Sequence, residues 1–556
     1  GGSRAALARW NAFRAHGLKE YHARRNDAAI QGVSRMSAYL HYGHISPFRL
    51  AREAQEQGGR GGKKYLDELL IWRELAYHWC DKVGDPEHWS ALPGWAQETL
   101  QGESSTPRDD TYHWESLARA KTHDELWNLA QESLLHHGEL HNNLRMTWGK
   151  TLHRWTRSGE ETLRRLIDLN HRYALDGRDP ASYGGLLWCL GLFDRPFTPP
   201  QPVFGTVRSR SSAAHAKRLD VERYRNHLQR GTPSQRVVIV GAGLAGLFCA
   251  RTLHDHRYEV TVLDKARTPG GRASSRLSRK DASWSFDHGA PYFETNDTRV
   301  QHWLSNWEDM GVLRQWKPEG QRTEGKQGSA VRYVGVPTNQ ALPHHLAADL
   351  DIVTSARIER IEHVVDGPNK AWVLKTDTET HGPFDALILN LPAPQLRALW
   401  PEADQAMTLP EFEPCHALLL RFEEPLSVDW STARPDGHPI LDWICRESSK
   451  PGRPDVEQWL VQSRGDWSKE HLETDLAEVE HLLTEAFLEF TDTIERPSTV
   501  QIHRWRYARP PHPLPEGSYW DPSKQIGVCG DVWGGGADGA LLSGAHLAGR
   551  IMGSEE

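Results

Sequence analysis

The sequence predicts a multidomain chain in which an all-α first half is followed by an α/β second half. Residues 1 to about 205 show apolar side chains at helical spacing and almost no strand pattern. Residues 237–272 instead contain an apolar β-branched run, a glycine-rich turn, a helical stretch and a second apolar run. We therefore predict a first domain at 1–205, a basic linker at 206–235 and a second domain at 236–556.

Composition limits the kinds of protein that this chain can be. Its 556 residues are ample for several buried cores, and its net charge of −8 means that any nucleic-acid surface must be a local basic patch. The six cysteines form no Cys-x-x-Cys pair and no Cys/His cluster, so we expect no metal site and a reducing, cytoplasmic setting. The longest apolar stretch is interrupted by glycine and too short to span a bilayer, so no membrane partner is expected.

Residues 237–264 have the pattern of a dinucleotide-binding Rossmann unit. Gly241 permits the tight turn after the first strand, Gly243 lets the backbone approach a pyrophosphate, and Gly246 lets the helix pack on the strand. The helix N-terminus offers N–H groups to the phosphates. Asp264, at the end of the second strand, is placed to accept from ribose hydroxyls. Because the strands, helix and acid are all in register, we predict a dinucleotide site here.

A second glycine turn, Gly270-Gly271-Arg272, follows shortly downstream. It resembles the second glycine turn of amine-oxidase-type flavoproteins, whose arginine lies beside the pyrophosphate. That resemblance favours FAD over NAD and assigns Gly271 and Arg272 to the cofactor. The alternative is an ordinary surface loop.

The first half carries motifs in the order typical of one family. The motifs are Ser34-Arg-Met-Ser37, Trp72-Arg-Glu-Leu, Leu126-Trp127-Asn-Leu, Leu144-Arg145-Met146-Thr-Trp148, Leu169-Asn170-His-Arg and Val203-Phe-Gly-Thr-Val-Arg208. They resemble the helical FAD domain of DNA photolyases, and the branch that matches best is the class II cyclobutane pyrimidine dimer photolyases. The resemblance covers nearly all of residues 15–210, and the chain shows no counterpart of that family's antenna domain.

The photolyase resemblance implies an FAD in the first half. It implies that a tyrosine and a serine-containing turn hold the phosphates and ribityl chain, that an arginine and an aspartate form an ion pair beside the ring, and that an asparagine lies near flavin N5. The residues assigned in this way are Tyr21, Ser34, Met36, Ser37, Arg145, Asp176 and Asn170.

The same resemblance implies a light-driven DNA repair reaction. Trp148, Trp127 and Trp155 match the family's electron-hopping chain from flavin to surface. Taken singly, each tryptophan at helical spacing is more often a core residue than a redox relay. The residues matching the dimer pocket are Glu68, Trp72, Met146 and Trp188. Of these, Glu68, if protonated, would hydrogen-bond the dimer. Arg208 and Asn26 match DNA contacts of the family.

The connector between the two halves is rich in Lys and Arg. Residues 216–228 could form a basic helix. One interpretation is a solvated linker helix, which such charge runs usually are. The other is a phosphate-contacting extension of a DNA surface, which would add salt-dependent affinity without sequence preference.

The second half carries a further set of motifs, Ser285-Phe286-Asp287-His288-Gly289, His503-Arg-Trp505 and Gly530-Asp531-Val-Trp533. With these motifs it resembles renalase and its bacterial relatives across essentially the whole of 236–556. The resemblance implies an α/β Rossmann-type FAD-binding oxidoreductase with a mixed-sheet substrate subdomain. Its nucleotide-binding parts would be about 236–290, 350–395 and 525–553, and its substrate parts about 291–349 and 396–524.

Further site residues follow from the renalase resemblance. Asp531 would bind the flavin ribityl or pyrophosphate, Ile358 would pass the adenine, and the helix that begins at Ala540 would point its N-terminus at the pyrimidine edge of the flavin. His288 and Trp505 are substrate-side candidates, with a core role as the alternative. The family oxidises a dihydronicotinamide of the NAD(P)H type by hydride transfer to FAD, with O2 as the final acceptor.

We therefore predict a two-module flavoprotein with two FAD per chain. Its partners would be duplex DNA containing pyrimidine dimers in the first module and a small dihydronicotinamide and O2 in the second. Two alternatives stay open: a cryptochrome-like light sensor in the first half, or a single working oxidoreductase whose helical half is only a scaffold.

Overall fold

The computed structural model describes residues 2–30, 32–108, 110–229, 235–278, 280–281, 283–319, 321–323, 331–366 and 369–553. The chain divides into two compact units, Gly1–Pro233 and Ser234–Glu556. We describe each unit by itself. Among the described residues, no helix is both long and apolar enough to cross a membrane.

The described part of the first unit is helical and contains no β-strand beyond an isolated bridge between Gln201 and Gly205. Short 3-10 turns lie at Leu18–Glu20, Ala28–Ile30, Trp89–Ala91 and Glu103–Ser105. A π-helix spans Glu68–Trp72. The α-helices are α1 Gly2–His16, α2 Tyr21–Arg24, α3 Ser37–His41, α4 Pro47–Gln57, α5 Gly59–Asp67, α6 Arg73–Lys82, α7 Gly94–Gly102, α8 Trp114–Ala118, α9 Glu125–His137, α10 Asn142–Arg154, α11 Gly159–Tyr173, α12 Pro180–Trp188, α13 Ser212–Ala216 and α14 Val221–Leu228.

Local sequence signals explain where several of these helices begin. The Asp124 carboxylate caps α9 by accepting from the N–H of Trp127 at 2.9 Å. The Ser158 hydroxyl caps α11 in the same way. Asp179 caps α12, whose first residue is Pro180, a residue that suits the first helical position because it lacks an N–H. Helices α9 to α12 pack around a core that includes buried Trp127 and Trp148.

The structure differs from the predicted linker at 206–235. Residues 212–228 form α13 and α14 rather than one basic helix, and both belong to the first unit. Tyr224 and Leu228 are buried in the same core as Trp127 and Trp148. The apolar side chains on one face of α14 explain this difference. Burying that face against the core stabilises the helix there, while the charged side chains on its other face stay in water.

The second unit is built on two six-stranded sheets within its described residues. Its strands are β1 Arg236–Val240, β2 Glu259–Leu263, β3 Arg276–Leu277, β4 Ser285–Phe286, β5 Phe293–Glu294, β6 Leu313–Trp316, β7 Gln321–Thr323, β8 Arg332–Gly335, β9 Asp351–Val353, β10 Arg360–Asp366, β11 Asn369–Lys375, β12 Thr380–Phe384, β13 Ala386–Leu389, β14 Glu413–Arg421, β15 Thr432–Arg434, β16 Leu441–Arg446, β17 Gln458–Ser463, β18 Thr499–Arg509, β19 Tyr519–Asp521 and β20 Ile526–Val528. Its α-helices are α15 Leu244–Asp255, α16 Thr298–Asp309, α17 Ala341–Ala347, α18 Ala393–Leu399, α19 Ala403–Ala406, α20 Gly465–Glu470, α21 Leu476–Thr491 and α22 Gly536–Gly553.

The first sheet has the strand order β19-β20-β13-β1-β2-β9, and all its pairs are parallel except β19 with β20. Strand β1 pairs on one side with β2 and on the other with β13, almost 150 residues later. Val237 to Ile239 are fully buried, as expected for a central parallel strand covered on both faces. The carboxyl ends of the parallel strands meet at one edge, which is where such sheets bind ligands.

The second sheet has the order β18-β14-β17-β16-β15-β7. It is antiparallel except for the pair β15 with β7, and is therefore mixed. Helix α21 packs against it, with Leu483 and Phe487 buried in the shared core. Smaller antiparallel sheets, β10-β11-β12, β5-β8-β6 and β3-β4, complete the described part of the unit.

Helix α15 packs unusually close to its neighbours. A Cβ atom on Gly246 would lie 2.6 Å from the Asn390 side-chain nitrogen and would overlap the Gly241 carbonyl oxygen. A Cβ on Gly544 of α22 would overlap the carbonyl oxygen of Ala245. These positions require glycine because the space of a side chain is filled by another backbone.

We expect Gly246→Ala to lower the free energy of unfolding of the second unit by about 2 kcal/mol, since overpacking of a dense interior costs this much. Gly549→Ala is the matched control, because a Cβ there meets nothing within 4 Å in the same class of helix. The control should raise stability by roughly 0.5–1 kcal/mol. Thermal and urea unfolding of the full chain would measure both; equal effects of the two substitutions would contradict the proposed backbone contact.

Candidate functional site

The turn after β1 forms the first candidate site. Gly241 has a φ of +106°, a conformation that L side chains rarely adopt. The Asp264 carboxylate, which follows β2, accepts from the backbone N–H of Ala242 at 2.5 Å and from that of Ala266 at 2.6 Å. Asp264 therefore lies beside the glycine turn and fixes its backbone. Each carboxylate oxygen keeps a lone pair for a further hydroxyl.

The second glycine turn lies directly against the first. The Gly270 N–H donates to the Ala242 carbonyl oxygen at 2.8 Å. A Cβ on Gly271 would be 3.3 Å from the Cα of Gly243. The structure thus brings Gly243 and Gly271 together, although 28 positions separate them in the sequence.

Arg272 and Asp531 form a bidentate ion pair. The two guanidinium nitrogens donate to the two Asp531 oxygens at 2.6 and 2.7 Å, and Arg272 also donates to the Ala508 carbonyl oxygen at 2.9 Å. The sequence analysis assigned both side chains to the cofactor, and the structure places them beside each other. Their mutual pairing fixes the guanidinium geometrically, while its remaining N–H groups stay available to an anion.

Asn390 is a residue of this site that the sequence analysis missed. It follows β13, and its side-chain nitrogen donates to the Gly241 carbonyl oxygen at 3.1 Å. The same nitrogen is the nearest atom to the position of a Cβ on Gly243, at 3.0 Å. One signal was available: a polar residue directly after a buried parallel strand lies at the ligand-binding edge of the sheet.

These residues fit the ADP portion of FAD. The cleft is lined by the backbone of Gly243 and Gly271, which carry no side chain, by the N-terminus of α15 and by the Arg272 guanidinium. Such groups together suit the binding of a pyrophosphate anion. Ile358 lies partly buried next to the core below the sheet, and Ala540 lies buried in the first turns of α22. The helix predicted to begin at Ala540 begins four residues earlier, at Gly536, so Ala540 lies inside the helix rather than at its N-terminus. The cofactor contacts assigned to Ile358 and Ala540 stay predictions.

Two histidines and a tryptophan form a cluster beside the second glycine turn. The His288 ring lies 4.8 Å from that of His503 and 5.1 Å from that of Trp505, between ring centroids. The Trp505 indole N–H donates to the His288 carbonyl oxygen at 2.9 Å. Burial, together with the nearby His503 and Arg276, lowers the pKa of His288 to about 3, so its ring is neutral at pH 7. The buried Nδ1 atom of His288 has no hydrogen-bond partner among the described residues and can accept from a ligand.

A fully buried ion cluster lies directly beneath His288. The Asp287 carboxylate accepts from Lys450 at 3.1 Å, from Arg453, and from the N–H of Asn339 at 2.9 Å. The Lys450 ammonium also donates to Glu447 at 2.6 Å. Despite burial, the cations lower the pKa of Asp287 well below its usual range, while burial raises that of Glu447. No local pattern reveals this cluster, because Asp287 is 163 positions from Lys450 and 166 from Arg453.

In the first unit, Asn170 and Arg145 converge on Ser182. The Ser182 hydroxyl accepts from the Asn170 amide nitrogen at 3.0 Å and from Arg145 at 3.4 Å. The Asn170 side-chain oxygen and the Arg145 Nε are buried and have no hydrogen-bond partner in the described part of the chain. Such orphaned groups cost free energy unless a ligand or water pairs with them, so these atoms fit the polar edge of a flavin ring.

The predicted ion pair of Arg145 with Asp176 is not formed among the described residues. Arg145 turns towards Ser182, and Asp176 is buried near the start of the turn that leads to α12. The structure therefore corrects that expectation. Among the described residues, the Arg145 guanidinium donates to a neutral hydroxyl and forms no salt bridge.

The other residues assigned to this cofactor lie at the N-terminal end of the unit. Tyr21 is buried against Phe13 and Tyr65, with ring centroids 5.9 and 5.4 Å apart, and burial raises its pKa. The Tyr65 hydroxyl lies 3.4 Å from that of Ser34. Met36 is a buried core residue, so only its backbone is free for a phosphate, whereas Ser37 is exposed at the start of α3.

The three predicted relay tryptophans form one continuous series. The rings of Trp148 and Trp127 are stacked with centroids 6.1 Å apart and planes within 11°. Trp127 then meets Trp155 edge to face at 5.3 Å. Trp148 and Trp127 are completely buried and Trp155 is nearly so. The Trp148 indole N–H donates to Gln131 and that of Trp127 to the Trp148 carbonyl oxygen, both at 3.0 Å, which fixes the ring orientations.

The predicted dimer-pocket residues are only partly brought together. Trp72 and Trp188 stack with centroids 5.0 Å apart, and Trp72 stays 38% exposed. Glu68 lies on the same π-helix as Trp72, and its carboxylate pairs with Arg25 and Lys64, each at 2.7 Å. The Glu68 carboxylate thus contacts two basic side chains, an arrangement that the sequence analysis did not predict.

The remaining first-unit candidates lie at other points of the structure. Met146 is half-buried on α10 next to Arg145. Arg208 is exposed, and its guanidinium lies 5.6 Å from the centre of the Phe197 ring. Asn26 is exposed, and its carbonyl oxygen accepts from Asn143 at 2.6 Å. No group of three or more potential metal ligands occurs among the described residues.

Comparison with known proteins supports two different relationships within one chain. Residues 239–307 match the family described as NAD(P)-binding Rossmann-like domain, and residues 302–552 match flavin containing amine oxidoreductase. The N-terminal part is 37% identical over 231 residues to a deoxyribodipyrimidine photo-lyase of Oryza sativa subsp. japonica, covering 41% of this chain and 46% of that protein.

Two further relatives agree with this division. A deoxyribodipyrimidine photo-lyase of Methanothermobacter thermautotrophicus is 35% identical over 224 residues, covering 40% of this chain and 50% of that protein. Renalase of Mus musculus is 25% identical over 298 residues, covering 49% of this chain and 85% of that protein. The chain thus spans about half the length of the photo-lyases that it matches. It joins a photolyase-like helical region to a flavin amine-oxidase-like region, which indicates a flavoprotein enzyme.

The lowered pKa of His288 predicts a pH dependence of stability. An imidazole titrates near 6.5 in the unfolded chain and at about 3 here, so stability is complete above pH 6.5 and is lost as the pH falls from 6.5 towards 3. His288→Gln should reduce that slope by up to about 1.4 kcal/mol per pH unit. Unfolding midpoints between pH 4.5 and 7.5 measure the effect, with the exposed His512→Gln as control. Identical slopes in both variants and the parent would contradict the burial argument.

Proposed function

We propose that this chain is a two-flavin enzyme whose first unit repairs cyclobutane pyrimidine dimers in DNA with light, in the manner of class II photolyases. Its second unit oxidises a small dihydronicotinamide of the NAD(P)H type, with O2 as the final electron acceptor. The single observation that best supports the proposal is the continuous tryptophan series Trp148, Trp127 and Trp155. When bound, FAD would supply the light-excited electron donor in the first unit and the hydride acceptor in the second.

In the first unit, the chain's own residues would provide a ring site and an electron path. Trp148 and Arg145 lie three positions apart on α10, and such positions share a helix face. Arg145 would offer charge, and the Asn170 amide oxygen a hydrogen-bond acceptor, to the polar edge of the ring. The close spacing of the three rings suits electron transfer from the protein surface towards this site.

The DNA site would be formed around the stacked pair Trp72 and Trp188. Aromatic faces stabilise bases that have been rotated out of the duplex, and a damaged base pair costs less to open. Glu68 would hold Arg25 and Lys64 at the edge of this pocket, where their positive charge favours the DNA backbone. Exposed Arg208 would add a phosphate contact without sequence preference.

In the second unit, the protein would position the substrate rather than supply an acid or base. His288 and Trp505, whose ring planes are inclined by 32°, would offer an aromatic surface beside the second glycine turn, with His503 edge-on to both rings. Because His288 is neutral, its free Nδ1 atom can accept from an amide N–H, a group that a nicotinamide carries. The buried Asp287 cluster would keep the backbone at His288 rigid, which is what orientation for hydride transfer requires.

Flavin content tests the two-site proposal. We expect two FAD per chain in the parent and one in Gly243→Asp, because a carboxylate at that position would repel the pyrophosphate. Gly549→Asp introduces the same charge where a side chain meets nothing within 4 Å, and should keep both flavins. Extraction and absorbance after desalting give the counts. A single FAD that is lost in Gly243→Asp would support the scaffold alternative for the helical half.

DNA repair is tested with a duplex that carries one dimer. The parent with reduced flavin should restore the bases under blue light, and Trp72→Ala should weaken binding of the damaged duplex about tenfold, as expected for loss of one base-stacking ring. Ile71→Ala is the control, since Ile71 is exposed on the same π-helix and outside the Trp72–Trp188 stack. Equal affinity of the parent for damaged and intact duplex, together with no repair, would favour the light-sensor alternative.

A further inference from the structure

A cavity of about 290 Å³ lies at the outer end of the tryptophan series in the first unit. One of its walls is Trp155, the last ring of the series. This volume is at the lower limit of small-molecule sites and suits a compact ligand rather than a nucleotide. Its polar lining includes Thr151, Arg154, Asp110, His123 and Ser211.

One buried group in this wall lacks a partner. Thr151 is 3% exposed, and its hydroxyl oxygen has no hydrogen bond among the described residues. A buried hydroxyl usually donates a hydrogen bond to a neighbouring acceptor, and leaving the hydroxyl unpaired costs free energy. In a wall of this cavity, the missing partner is most simply a polar atom of a ligand.

The charged residues that line the cavity favour a ligand that carries both hydrogen-bond acceptors and hydroxyl donors. Arg154 is exposed at the cavity and offers several N–H donors to an anionic oxygen. Asp110, 3.8 Å from His123, offers carboxylate acceptors to hydroxyl groups. A second carboxylate, Asp124, already accepts from the Trp127 N–H and from the Ser212 hydroxyl, the latter at 2.8 Å, so we assign it a structural role rather than a ligand contact.

The position of Trp155 gives the cavity a redox role. Trp155 joins the buried series on one side and the cavity on the other, so a molecule in the cavity is within contact distance of the last ring. Trp127 and Trp148 are completely buried and cannot be reached from solvent. Any external electron for this series therefore enters most directly through Trp155.

We propose that this cavity binds a small enediol reductant of the ascorbate class, which donates one electron to oxidised Trp155. The inference rests on the proposed function and adds that the same FAD, when bound in its oxidised form, would on excitation accept an electron from Trp148. Trp148 would then take an electron from Trp127, and Trp127 from Trp155. The enediol monoanion loses one electron and its remaining enediol O–H proton. The electron reduces the oxidised Trp155 ring, and the proton passes to solvent. Arg154 binds the anionic oxygen, Asp110 accepts from a hydroxyl, and the Thr151 hydroxyl gains its missing partner.

The binding step is tested in the dark, where it does not depend on flavin chemistry. Calorimetric titration of the full chain with ascorbate should show one saturable site. Arg154→Gln should weaken it about tenfold, as expected for loss of a charge-assisted hydrogen bond, and Thr151→Val about threefold. Arg164→Gln removes an exposed charge of the same kind on α11 and should leave the affinity unchanged. Absence of saturable binding, or equal loss in Arg164→Gln, overturns the proposal.

The electron-transfer step is tested by laser flash on the oxidised holoprotein. Recovery of oxidised tryptophan, followed by its absorbance, should speed up with ascorbate and reach a plateau, and Arg154→Gln should shift the half-saturating concentration by the factor found in the dark. A recovery rate that rises linearly with ascorbate and is the same in Arg154→Gln overturns the proposal.

A different result would separate binding from electron transfer. If ascorbate binds in the dark but the flash oxidises no tryptophan, in the parent as in Trp148→Phe, the electron path and the donor role are disproved and only the binding site is supported. Displacement of ascorbate by inorganic phosphate at equal concentration would identify an anion site for DNA and overturn the assignment of ligand class.

Discussion

The second unit depends on one constraint, the direct contact of backbone with backbone where β1 turns into α15. Gly246 lies on the Gly241 carbonyl, Gly271 on Gly243, and Gly544 on Ala245. Because no side chain separates these segments, the parallel sheet, the second glycine turn and α22 come together around a cleft lined by N–H groups. The same contact places Asn390 and Asp264 as polar supports of the turn.

Local signals in the sequence were enough to predict the helical and α/β halves. The glycine spacing and Asp264 lie within fewer than 30 residues of sequence, and each predicts a defined local geometry, a tight turn and an acid at the end of a strand. The sequence analysis grouped Trp148, Trp127 and Trp155 only through a resemblance, since helical periodicity alone predicts core residues at these positions. The boundary near residue 205 was harder to place, because α13 and α14 carry many charges yet bury Tyr224 and Leu228.

Other features could not be predicted because they depend on residues far apart in the sequence. The partners of Asp287 are Lys450 and Arg453, and neither has a neighbouring pattern that marks it as buried. Burial of such charges is tolerated only when every one is paired, which the tertiary structure alone decides. The turn of Arg145 towards Ser182, and away from Asp176, likewise depends on how α10 packs against α12.

The order of strands in the parallel sheet has a consequence for synthesis on the ribosome. Strand β1 needs β13 beside it, β13 needs β20, and α22 closes over α15 only after residue 544 has been made. The cleft therefore assembles only when nearly the whole described chain has emerged, and contacts of such high sequence separation form slowly. The described core of the first unit, by contrast, is formed by residues up to 228. It can fold while the second unit is still being translated, so a nascent chain would hold a folded helical unit before the cleft of the second unit exists.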